Sequence, residues 1–354
     1  MRRCGRCRRS TPPRCCDCHF RSKRPETPVP TARAAIVSGA SQVTEKIPLL
    51  VLTSLIPEHQ AQIGEVYELI YAPTAAERPG AVAANAQRIR AVLTIGVVGI
   101  TPEEVAAMPA LELVCCLGAG FECLPMDALR ARGIATANGS GTNDDCVADH
   151  AFGLLIGIVR GMRMLDRQCR EGIWREAIPQ PPNVSGKKLG IFGLGTIGQK
   201  IAKRAAGFDL EIGYHNRSAR PELPHRYFDS LLALAQWCDF LVCAAPGGPA
   251  TRHAVDAQVL DALGPQGFLV NIGRGSVVDT EALAAALREG RIAGAGLDVY
   301  ESEPKPPVQL IGLDNLYITP HMAGWSPEAT QASVNRFMAN AEGHFSGRGV
   351  VSPI

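Results

Sequence analysis

From Pro48 onward, short apolar runs alternate with longer segments whose apolar residues recur every three or four positions. The runs at 49–53, 66–71, 90–95, 111–117 and 134–137 predict strands, and the stretches 57–63, 75–89 and 102–108 predict helices among them. Buried runs spaced by helical segments are the mark of a mostly parallel sheet covered on both faces. Pro179, Pro181 and Pro182 then interrupt the chain at a crossing point between two domains. A second alternating set follows, with strands at 189–193, 210–214, 240–245, 268–272 and 294–299 and helices at 196–206, 231–237 and 280–289. A strand at 316–319 and a helix over 327–345, positioned to return to the first domain, complete it.

One long helix is expected from Asn143 to Arg170, because Val147, Ala151, Leu154, Leu155, Ile158, Met162 and Leu165 repeat at three and four. Thr142 reads as its cap, with Asp145 three residues on. Its apolar content exceeds what one core face requires, which points to burial between domains and at a subunit interface. Length supports the two-domain reading, since 354 residues exceed one average domain. A content of 46% hydrophobic and 20% charged residues excludes wholesale disorder. The longest strongly apolar run, 151–159, falls well short of the roughly 20 residues of a membrane helix, so a membrane-spanning role is excluded.

Charge is unevenly placed. Residues 1–30 hold eight Arg and one Lys against Asp17 and Glu26, a local +7 within a total of +2, so the remainder carries −5. A mildly acidic body gives no electrostatic footprint for nucleic acid. The same segment carries five of the twelve Cys. Cys4, Cys7, Cys15, Cys16, Cys18 and His19 could supply soft metal ligands, but Cys7 and Cys15 stand too close for a finger and no apolar periodicity surrounds them. Arg-richness also fits a targeting peptide, although clustered Cys and Pro prevent a clean amphipathic helix, and a secretory signal is excluded by the missing apolar centre. Residues 1–40 therefore read as a basic, disordered extension. The other seven cysteines (115, 116, 123, 146, 169, 238 and 243) read as small buried hydrophobes in a reducing, cytoplasmic compartment. No metal site is expected in the body.

The chemistry begins at Gly193-x-Gly195-x-x-Gly198, which follows an apolar strand and opens an Ala-rich helix at Thr196 and Ile197. In that context the glycines give a tight turn, room for a pyrophosphate and close helix–strand packing, while the first-turn amides face the negative charge. An NAD site usually carries an acid at the end of the next strand. Here Asn216, Arg217 and Ser218 stand in its place, and Arg217 can pair with a 2′-phosphate. NADP (NADPH) is therefore preferred over NAD. Arg204 and Arg220, with no evident partner, read as solvent-facing. Asp279 reads as a helix cap.

Three later segments, 271–279, 296–304 and 319–324, put Arg274, Glu303 and His321 each just beyond a buried strand, where such sheets bind ligands. Reducing a ketone needs a hydride on carbon and a proton on oxygen. His321 can donate that proton near neutral pH. Glu303 can orient its ring and stabilise the imidazolium. Arg274 offers a rigid fork to a substrate carboxylate, so the expected substrate is a 2-keto acid. Cofactor contacts are also expected from Ala245, Pro246, Ile272, Gly273, Arg274, Asp298, His321 and Gly324, with Asp298 serving either the nicotinamide side or the local architecture.

GLGTIG, NIGRGSVVD, GLDVYESEP and TPHMAG, in this order, resemble the D-isomer-specific 2-hydroxyacid dehydrogenase family from about residue 48 onward. The resemblance implies an α/β fold of two doubly wound parallel-sheet domains. A Rossmann nucleotide-binding domain (143–319) would be inserted in a flavodoxin-like substrate domain (48–142 and 320–354). It also implies substrate binding by Arg274 and a Glu303–His321 pair. The family's ribose-binding aspartate is missing near His215, and the NRS that follows resembles NADP-preferring glyoxylate, hydroxypyruvate and hydroxyphenylpyruvate reductases. By the same resemblance, backbone amides of Gly96, Val97, Val98 and Gly99, or of the segment around 118–120, hold the small 2-keto or 2-hydroxy acid. A homodimer is implied, with Trp174 near the partner's site and Trp325 able to wall the pocket, ordinary packing being an equal alternative for both. Residues 322–354 leave no room for a regulatory domain, and Glu303 stands where formate dehydrogenases carry glutamine. A cofactor-binding scaffold without turnover, akin to the family's corepressor-like members, and an NAD-dependent dehydrogenase of other substrate range stay as alternatives.

Overall fold

A computed structural model describes residues 45–354. The proposed metal, targeting and disorder readings of the N-terminal segment lie outside the described residues. The first sheet is built from β1 (Ile47–Val51), α1 (Pro57–Gly64), β2 (Tyr67–Tyr71), α2 (Arg78–Asn85), β3 (Ala91–Thr94), α3 (Pro102–Ala107), β4 (Leu113–Cys116), α4 (Met126–Ala131) and β5 (Ala135–Ala137). Its five strands are all parallel in the order β2-β1-β3-β4-β5, the flavodoxin-like arrangement. Successive residues of β1 alternate between two cores: Leu50 joins Val92 and Val114 on one face, while Leu49 and Val51 join Leu93 and Leu113 on the other. That double burial is why its strands read as continuous apolar runs.

The chain then crosses through α5 (Asp144–Val159) and α6 (Met162–Arg170) into the second sheet. There it forms β6 (Lys188–Phe192), α7 (Thr196–Ala205), β7 (Glu211–His215), β8 (Arg226–Tyr227), α8 (Leu231–Trp237), β9 (Phe240–Cys243), α9 (Ala257–Leu263), β10 (Phe268–Asn271), α10 (Thr280–Arg288), β11 (Gly294–Leu297) and β12 (Leu316–Ile318). The seven strands are parallel in the order β12-β11-β10-β9-β6-β7-β8, a Rossmann arrangement extended by one strand. The final helix α11 (Pro327–Phe345) returns to the first sheet, where Val334, Phe337 and Ala341 pack with Leu49, Val51 and Tyr67. Ser326 caps it through the Ala329 amide at 3.1 Å, and Pro327 suits its first turn.

The expected single helix from 143 to 170 is two. Gly161 adopts φ +60 and ends α5 in a left-handed turn, a break that apolar periodicity running through Met162 and Leu165 conceals. Thr142 is not its cap: the hydroxyl donates to the Gly139 carbonyl at 2.6 Å and bonds Ser333 Oγ at 2.8 Å. The apolar excess of α5 is used within the chain, because Leu154, Leu155 and Ile158 pack into one core with Ile191, Val242 and Val270 of the second sheet. Cys123 and Cys169 are exposed and Cys146 is half-buried, whereas Cys115, Cys116, Cys238 and Cys243 are buried as expected. Burial pushes the Cys116 and Cys238 thiols up to about 12. Among the described residues no helix is long and apolar enough to cross a membrane.

Candidate functional site

The strand order of each sheet reverses once, at β1/β3 and at β6/β9, and ligands of doubly wound sheets bind beyond the carboxyl ends of strands near such points. At the end of β6, Gly193 adopts φ +98, and a Cβ there would lie 2.6 Å from the Ala245 amide nitrogen, so both the turn and the packing demand glycine. Gly198 packs against the Gly193 carbonyl. A Cβ on Gly195 would meet nothing, which leaves open space before the N-terminus of α7, the cradle a pyrophosphate requires. Thr196 beside it is exposed, and Ile197 is half-buried.

Beyond β7, Asn216 Oδ1 accepts from the Leu194 amide at 2.7 Å and ties the loop to the glycine turn. Arg217 and Ser218 are exposed, and Arg217 has no ion pair among the described residues. Arg220 is not free as expected: it pairs with Glu222 at 2.8 Å and donates to the Leu194 carbonyl at 3.1 Å. Arg204 likewise pairs with Asp149 at 2.6 Å and Asp145 at 3.2 Å, tying α7 to α5. Asp279 caps α10 through the Ala282 amide at 3.0 Å, as expected. Ala245 and Ile272 are buried beside the turn and Pro246 is exposed at its rim.

The reactive cluster joins the ends of β10, β11 and β12. His321 Nδ1 lies 2.7 Å from Glu303 Oε2, and the other oxygen of Glu303 accepts from the Tyr300 amide at 2.6 Å. The hydrogen bond to Glu303 raises the His321 pKa above its ordinary value. Burial and the Arg274 charge work against it, while the carboxylates of Glu303 and Asp298 add to it. His321 itself sits at φ +54, a strained backbone for a non-glycine residue of the kind found at functional sites. Asp298 explains how that geometry is held. It is fully buried and accepts from Thr319 Oγ1 at 2.6 Å and from the Met322 and Ala323 amides, each at 2.8 Å, while its carbonyl accepts from the His321 amide at 2.9 Å. Both carboxylate oxygens are engaged within the loop, which fits the architectural one of its two expected roles. Gly324 also has a packing reason to be glycine, since a Cβ would lie 2.5 Å from Asn143 Nδ2.

Arg274 follows β10, where buried Asn271 bonds both the Arg274 carbonyl at 3.0 Å and the Gly273 amide at 3.1 Å. Its guanidinium crosses to the loops of the first sheet, with Nε donating to Glu122 Oε1 at 2.6 Å. Glu122 was not anticipated, because its partner is 152 residues away and no local pattern announces it. In the 96–99 turn the Val98 and Gly99 amides donate to the Ile95 carbonyl at 3.0 and 2.9 Å. Only the Gly96 and Val97 amides lack a partner among the described residues, so two of the four expected donors are available. Gly96 must be glycine, since a Cβ would lie 2.5 Å from the Gly120 backbone. Trp325 (69% exposed) and Val97 (67% exposed) are open to solvent, as is Trp174.

Residues 152–323 match the family model described as D-isomer specific 2-hydroxyacid dehydrogenase, NAD binding domain. A glyoxylate/hydroxypyruvate reductase of Arabidopsis thaliana is 36% identical over 88% of this chain and 99% of its own length. A hydroxyphenylpyruvate reductase of Plectranthus scutellarioides is 38% identical over 77% of this chain and 87% of its own. Among solved structures, the NADPH-dependent glyoxylate/hydroxypyruvate reductase of Sinorhizobium meliloti, crystallised with NADP and malonate, superposes with a TM-score of 0.80 at 34% identity, covering 88% of this chain and 97% of that one. The fold, the glycine turn and these relatives agree, and the chain belongs to the D-isomer-specific 2-hydroxyacid dehydrogenases.

Proposed function

We propose that this protein reduces a small 2-keto acid (glyoxylate, hydroxypyruvate or hydroxyphenylpyruvate) to the D-2-hydroxy acid with NADPH. The observation that carries the reading is the His321–Glu303 contact at 2.7 Å in the neighbourhood of Arg274, beside a glycine turn fit for a dinucleotide. The names of the Arabidopsis and Sinorhizobium relatives support the same substrate class. Gly193, Gly195, Gly198 and the first turn of α7 hold the pyrophosphate. Arg217 and Ser218, exposed past β7 where no acid stands, hold a 2′-phosphate. When bound, the cofactor supplies the hydride.

The remaining work falls to side chains. Arg274 and the free Gly96 and Val97 amides orient the substrate carboxylate, which fixes the adjacent carbonyl against the cofactor. Because Nδ1 of His321 faces Glu303, the ring's Nε2 carries the transferable proton and donates it to the developing alkoxide. Glu303 keeps the imidazolium populated and the ring oriented. The exposed surface of α6, together with Met162 and Trp174, suits the homodimer expected of the family. Initial rates with the three keto acids, using NADPH and then NADH, test the reading. Consumption of NADPH by at least one acid, faster than NADH, is expected. Binding of NADPH with no consumption by any of them refutes it in favour of a scaffold without turnover.

A further inference from the structure

Glu122 stands in the loop after β4, and the mechanism above does not use it. Its contact with Arg274 joins loops of the two sheets, and the two side chains keep 50% and 33% of their exposure. Arg274 Nη1 donates at the same time to the Gly273 carbonyl at 2.8 Å. Guanidinium binds carboxylates through paired N–H groups. One of its paired edges is therefore already engaged, at Nε, by a carboxylate belonging to the protein. Gly120 makes room for this arrangement, since a Cβ there would lie 2.7 Å from Glu122 Oε2 and 2.9 Å from Arg274 Nη2. Burial works to raise the Glu122 pKa. The Arg274 charge and hydrogen bond, with the backbone amides of Glu122 and Phe121, overcome that and hold the carboxyl below the usual range.

We infer that Glu122 is a positioning residue acting through Arg274: it confines an incoming carboxylate to the remaining Nη donors beside a fixed negative charge, so the cleft selects ligands with one carboxylate over ligands with two. The inference rests on Arg274 as the carboxylate-binding group of the proposed reductase. A monocarboxylate pays the repulsion from Glu122 once, while a second carboxylate on a short ligand meets the same charge again. Two unit charges several ångströms apart at a protein surface interact strongly enough to change an affinity about tenfold.

The test compares the full-length wild type with Glu122→Gln and Glu122→Asp, each saturated with NADP. Oxamate, with one carboxylate, and malonate, of similar size with two, are titrated calorimetrically. Glutamine keeps the shape and an acceptor for Arg274 Nε but removes the charge, so malonate affinity should rise about tenfold more than oxamate affinity. Aspartate, which keeps the charge, should restore most of the wild-type preference. Equal changes for both anions, weakening of both, or no binding of either to any form would overturn the inference. Because calorimetry needs no turnover, a wild type inactive on every keto acid but showing the expected shift would sink the reductase reading alone. Turnover with an unmoved preference would sink this inference alone.

Discussion

Asp298→Asn is the sharpest perturbation of the architecture behind the site. The carboxylate is fully buried and accepts three hydrogen bonds, from Thr319 Oγ1 at 2.6 Å and from the Met322 and Ala323 amides at 2.8 Å each. Asparagine has the same shape but only one accepting oxygen. Its amide nitrogen must face either the Ala323 N–H or the pair formed by Thr319 and Met322, so at least one buried donor is left without an acceptor, at a cost of about 1–3 kcal/mol. The bonds that survive lose their charge assistance and roughly half their strength, adding about 1–2 kcal/mol. The sum, about 2–5 kcal/mol, is a large part of a typical folding stability. Thermal unfolding followed by circular dichroism should show a Tm lowered by about 4–10 °C. Turnover measured well below that Tm should also fall, because the same bonds hold His321 at φ +54. A Tm within about 1 °C of wild type together with unchanged turnover would refute the argument that Asp298 sets the loop.

Glu303→Gln removes the carboxylate that raises the His321 pKa. In the reductive direction the rate needs the imidazolium and falls as pH rises through the His321 pKa, so the alkaline midpoint of kcat should move to lower pH in the variant. An unmoved midpoint would separate Glu303 from the titration. Arg217→Ala should weaken NADPH by about 10- to 100-fold, the worth of a charged hydrogen bond to phosphate, and leave NADH nearly unchanged. Equal losses for both cofactors, measured by fluorescence titration, would reject the 2′-phosphate assignment.

Much of this architecture was legible because both sheets bury both faces, so β1, β3, β9 and β10 stand out as apolar runs between helical segments. What escaped was short or non-local. Strand β8 has two residues, and α4 has six with no side-chain cap. Helix α9 did carry a signal, since Asp256 precedes Val259, Leu260 and Leu263 and caps the Val259 amide at 3.0 Å. The site residues were legible where a polar group follows a buried strand, as Arg274, Glu303 and His321 do. Glu122, the partners of Arg204 and the three donors around Asp298 depend on tertiary contacts between separate helices and loops, which sequence spacing does not encode.

Proton donation by one imidazole is the step on which the proposed chemistry turns, and His321→Ala isolates it. With NADPH and the best keto acid, kcat should fall by about 10²–10⁴-fold, the usual contribution of a positioned general acid, while NADPH affinity measured by titration stays within a few-fold of wild type. Undiminished turnover in the variant would contradict the mechanism outright.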